Sequence, residues 1–154
     1  MSVSRTAEVQ VPYVTSVMEL MRLLYEAPDD RGMRTAALLR RSHPADKELQ
    51  LAGLVHGLGK MLRPGDAAGQ GELAAEAVRP LLGERVARLV RLHARPAADG
   101  AGDAAGADAE AVSSLRQARE AAAGAAGGAE AGVLEDWRPL LELVAARARR
   151  AAAT

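Results

Sequence analysis

Two histidines stand where an imidazole can do chemistry. His56 lies inside the apolar run Leu54-Val55-His56-Gly57-Leu58-Gly59-Lys60. His93 extends a stripe of Val86, Leu89 and Val90 at i, i+3, i+4 and i+7, so it should point inward with that stripe. Imidazole titrates near neutrality and serves as a general acid or base. His43 sits in the helix-breaking segment Ser42-His43-Pro44 and is expected at the surface. The chain holds no cysteine, which excludes disulfides and thiolate metal sites. No Gly-rich phosphate loop, HExxH, CxxC or nucleophile elbow is present.

The elements that must position these side chains are helical. A chain of 154 residues suits one domain, and its hydrophobic share of 49% is rich in alanine, with no Phe, one Trp and two Tyr. Ala and Leu favour helix, and strand formers are few. The expected fold is all-α, a single-domain bundle of about six helices. Residues 1–12 read as a flexible N-terminal tail and 13–154 as the domain. Ser16 and Glu19 form a capping box for a helix with Val17, Met18, Met21, Leu24 and Tyr25 on one face. A turn over Ala27 to Gly32 leads to a helix over 33–42 with Ala36, Ala37 and Leu39 inward. Asp46 caps a third helix, 47–62, apolar around most of its girth and so central. Two shorter helices fill 71–94, separated by Pro80 and Gly83; residues 96–110 read as a mobile low-complexity loop, with a helix over 111–123 after it. A flexible stretch runs from Gly124 to Gly132. The last helix, 137–150, has Asp136 as cap, Pro139 in its first turn and Trp137 in the core.

Charge narrows the partners. Lys+Arg and Asp+Glu are both 20, which gives no electrostatic case for nucleic acid or an anionic membrane. No apolar run reaches the length of a membrane span, and the polar segment Met1 to Gln10 has no signal-peptide core. A cytoplasmic location is expected. The expected partner is a small-molecule ligand, with a homodimer left open.

The ordered series of motifs resembles the HD superfamily. Leu54 to Lys60 is similar to "LLHDLGK", with Gly57 in place of the Asp. Gln70-Gly71-Glu72-Leu73-Ala74-Ala75 with Arg79-Pro80-Leu81-Leu82-Gly83 resembles "HEEIGA…LRPLFG". Val86 to His93 resembles "VAEPVRLHV", and Ser113-Ser114-Leu115-Arg116-Gln117 is similar to "SVRSLxLQGG". Together they resemble the oxygenase-like branch, which includes di-iron enzymes that cleave organophosphonates and, more distantly, myo-inositol oxygenase. That branch holds two irons with four histidines and two aspartates. Position by position, the resemblance places these at or near Gly32, His56, Gly57, Gln70, His93 and Ala152. Four of the six ligands are absent, and Pro96-Ala97-Ala98 stands where Lys-Arg-Tyr usually follows the last His.

A catalytic metal site takes three protein ligands and a structural one four, so no tightly bound metal and no cofactor are expected. The resemblance implies that His56 and His93 share the old metal cavity as acid and base, or persist as relics satisfied by core hydrogen bonds. Lys60, Gln70 and Gly57 would contact a ligand; for Lys60 the alternative is a snorkelling surface side chain, and for Gln70 a solvated one. Glycines 32, 53, 57 and 59 suggest an open pocket. Three functions follow as expectations. The first is metal-free acid–base chemistry on a small organic molecule: isomerisation, cyclisation, elimination or hydrolysis. The second is a non-catalytic pseudoenzyme binding a metabolite or partner protein; the third is a relative whose pocket has filled. The high-GC composition and the stripped scaffold fit specialised metabolism.

Overall fold

Helix is what this composition favours, and the computed structural model is all-α. It describes residues 13–27, 29–62, 69–94, 107–124 and 132–153, and among them there is no strand. In chain order come α1 (Val17–Tyr25), α2 (Arg31–Ser42), α3 (Lys47–Val55), α4 (Leu58–Leu62), α5 (Gln70–Leu82), α6 (Glu84–Ala94) and α7 (Ala107–Gly124). A 3-10 turn (Leu134–Trp137) then leads into α8 (Arg138–Ala153). The expected tail over 1–12, the loop as far as residue 106 and the stretch over 125–131 lie outside the described residues. Residues 107–110, expected in that loop, instead open α7. Asp108 and Glu110 suit the positive end of a helix, and Asp108 pairs with Arg88 at 2.7 Å.

The core is organised around α3. Every residue from Leu49 to Val55 is buried, and the helix packs against α2, α6, α7 and α8. Its start is fixed twice over. The Asp46 carboxylate accepts the Leu49 N–H at 3.1 Å as an N-cap. It also accepts two guanidinium bonds from Arg85 on α6, at 2.8 and 3.0 Å. Arg85 reaches Glu48 at 3.1 Å as well, and Asp108 of α7 at 3.6 Å. The N-terminal ends of α3 and α6 are thereby clamped side by side, so the two helices run parallel. Their C-terminal ends, which carry His56 and His93, are brought together at the other end.

Several local expectations change. The 47–62 segment is two helices broken at His56-Gly57. Gly57 and Gly59 weaken helix here, and the Gly59 backbone lies so close to the Gln70 backbone that no side chain fits between them. Pro80 lies within α5; the break comes at Gly83, whose φ of 98° favours glycine. In α1 the inward residues are Leu20 and Met21, flanked by partly buried Val17 and Leu24, while Met18 and Tyr25 are more than half exposed. Tyr25 stays outside because its hydroxyl donates to Glu135 at 2.7 Å. Ser16 caps α1 as expected, but Glu19 reaches back to the Thr15 N–H. Asp136 sits inside the 3-10 turn and does not cap α8. Trp137 is buried at 1% exposure, with the Arg40 guanidinium 4.4 Å from its ring centroid.

Candidate functional site

The two histidines occupy equivalent places on parallel helices. His56 follows the last residue of α3, and His93 lies in the last turn of α6. Carbonyls in a final helical turn lack their usual N–H partners. The Gly53 carbonyl of α3 is one of these, the Val90 carbonyl lies one residue before the last four of α6, and each ring turns back onto its own helix to bond it. The His56 Nδ1–H donates to the Gly53 carbonyl and the His93 Nδ1–H to the Val90 carbonyl, both at 2.7 Å. A carbonyl only accepts, so each Nδ1 carries the proton and each Nε2 keeps a lone pair. Neither Nε2 has a hydrogen-bond partner among the described residues. The rings meet edge to face, with centroids 5.4 Å apart and planes at 89°.

Burial decides their protonation. His93 is 4% exposed, and desolvation pushes its imidazole down to about 4, assisted by the neighbouring His56. The Val90 bond opposes this, and the charges of Arg119 and Arg116 reinforce it. His56 is also lowered, first by desolvation against the Gly53 bond. Arg119 and Lys60 push it the same way, and Asp29 opposes them. At neutral pH both rings are therefore neutral and ready to accept a proton.

A cleft of about 480 Å³ opens over the pair. The sequence-expected residues His56, Gly57, Lys60, Gln70 and His93 all line it. Of the six positions assigned through the resemblance, Gly32 lines it too, while Ala152 is exposed near the end of α8 and does not. Lys60 is exposed at the cleft, and Gln70 opens α5 beside it. Leu24, Met33, Leu54, Leu58, Met61 and Leu134 form an apolar wall.

The glycine expectation holds at one position only. A Cβ on Gly57 would meet nothing within 4 Å, so the cleft is open there. A Cβ on Gly32 would come 2.5 Å from the Leu54 carbonyl oxygen, and one on Gly53 2.8 Å from a Leu39 methyl. Gly32, Gly53 and Gly59 thus allow close helix packing and do not create volume. Arg119, Asp29 and Glu120 also line the cleft, and sequence reasoning did not find them. Arg119 sits on α7 three residues after Arg116, whose guanidinium donates to the Leu92 and His93 carbonyls at 2.9 and 3.3 Å. Spacing alone does not separate these two arginines; the packing of α7 against α6 does.

The donor set does not fit the di-iron centre that the resemblance implies. The cleft brings two imidazoles together and puts a glycine in the aspartate position. Among the described residues, no group of three or more His, Cys, Asp or Glu side chains is placed to hold a metal ion. Also among the described residues, no helix is long and apolar enough to cross a membrane. No family model, no curated protein and no solved structure matches the chain.

Proposed function

We propose that this chain is a degenerate HD-type domain whose former metal cavity binds a small organic molecule and uses His56 and His93 for metal-free proton transfer. One observation carries the reading: two neutral imidazoles, each fixed through Nδ1, present their unprotonated Nε2 atoms at one cleft. That five of the six positions assigned by the resemblance converge on the same cleft supports the HD-type origin. In such a site one Nε2 removes a proton from the ligand, and the resulting imidazolium returns it to another atom of the ligand. No electron transfer is involved, so isomerisation, cyclisation, elimination and hydrolysis are the reaction classes. Lys60 and Gln70 position the ligand, and the open space at Gly57 admits it.

A second reading, a non-catalytic binding domain, is favoured by one observation. An imidazole held at about 4 is a weak base at neutral pH, far from the match that general-base catalysis prefers. Exchange chemistry separates the two. The protein is incubated in D2O, with chelator, against a panel of small carbonyl compounds and organic acids. Catalysis gives deuterium incorporation that His56→Gln and His93→Gln abolish; binding without exchange supports the second reading. Near-stoichiometric iron, manganese or zinc in the purified protein would overturn the metal-free assignment.

A further inference from the structure

Six charged side chains line the cleft: Asp29, Asp30, Arg31, Lys60, Arg119 and Glu120. Five of them are exposed and well solvated. Two are also engaged locally: Asp29 accepts the Arg31 backbone N–H at 3.0 Å, and Asp30 pairs with Arg34 at 3.1 Å. Arg119 is different. It is half-buried, and among the described residues it has neither an ion pair nor a hydrogen bond. Its guanidinium nitrogens keep contact with solvent, and an anion entering the cleft would meet a cation that no described side chain already engages.

We propose that Arg119 is the anchor for a carboxylate, and that the ligand of this cleft is an amphipathic monocarboxylic acid. The proposal rests on the small-molecule reading above and names its ligand class. The guanidinium fork matches one carboxylate in a bidentate pair. A dianionic phosphate would need a second cation at the same depth, and Arg31 and Lys60 are both solvent-exposed. The apolar body of the acid would lie on the wall of Leu24, Met33, Leu54, Leu58, Met61 and Leu134. Arg119, His56 and His93 line the same cleft, so a carboxylate held by Arg119 would share it with the imidazoles.

Long-range proton–nitrogen spectra of the imidazoles test this directly. The full chain is titrated with hexanoate, with its neutral isostere hexanamide, and with butyl phosphate. Hexanoate should shift the His56 and His93 signals saturably, with hexanamide about tenfold weaker, the size of a charge-assisted bond. Arg119→Gln should remove that preference while hexanamide binds as before; Arg119→Lys, which keeps the charge, should retain part of it. Native Trp137 fluorescence in each variant checks the fold. Equal binding of acid and amide to the wild type, or a preference that survives Arg119→Gln, overturns the anchor and leaves the cleft reading standing. Butyl phosphate binding more tightly than hexanoate overturns the carboxylate class. If no probe shifts either imidazole, both the anchor and the cleft reading fall.

Discussion

Acid should destabilise this fold through His93 before its carboxylates titrate. The imidazole falls from 6.5 in the unfolded chain to about 4 in the native one. At about 1.4 kcal/mol per pH unit, that difference amounts to about 3 kcal/mol. The direction follows from linkage. Between these two values the unfolded chain binds a proton that the folded chain refuses, so stability rises with pH. The contribution is fully favourable above pH 6.5 and is lost as pH falls towards 4. His56, also lowered by desolvation, adds to the loss as pH falls below 6.5. Against a total stability of about 5–15 kcal/mol, such a loss is large. Asp46 acts in a different window. Arg85 holds its carboxyl below the ordinary carboxylate value of 3.8, so its contribution disappears only in stronger acid. The assay is urea unfolding at pH 7.5, 6.5, 5.5 and 4.5, followed by the fluorescence of Trp137, the one tryptophan and fully buried. Wild-type stability should decline across the series, and His93→Gln should remove about 1.4 kcal/mol per pH unit from the slope below pH 6. A flat wild-type profile between pH 6.5 and 4.5, or an unchanged slope in the variant, would refute the reasoning.

Two further outcomes are expected. Gly57→Asp should change stability by less than about 1 kcal/mol, because its Cβ enters open space, whereas Gly59→Ala should lose about 2 kcal/mol or more against the Gln70 backbone; equal losses in thermal unfolding would contradict the packing. Arg85→Met should lower stability by about 1–2 kcal/mol, discounted for the partial exposure of the pair, and Asp46→Asn combined with it should add less than its separate effect; additive effects in urea unfolding would show that the clamp between α3 and α6 is not a unit.

Much of the architecture is legible in local chemistry. Ser16 and Asp46 cap helices because their side-chain oxygens meet free N–H groups within three residues. The centrality of α3 follows from apolar residues on all its sides. The exposure of Tyr25 was not legible, because it depends on Glu135, 110 residues away. Nor was the break at His56-Gly57, because a helix tolerates isolated glycines unless a neighbouring backbone claims the space, as that of Gln70 does at Gly59.

The same division runs through the site. By itself the sequence determined an all-α chain with one buried apolar helix that carries His56 and an apolar stripe ending in His93. These are properties of residue type and period, which act over a few residues. Only the tertiary structure decided that α3 and α6 run parallel, which sets the two rings 5.4 Å apart. It also decided that both rings lose enough water to stay neutral, and that Arg119 completes the cleft from α7. Desolvation and charge proximity depend on what other segments bring into contact, and no local pattern carries that information.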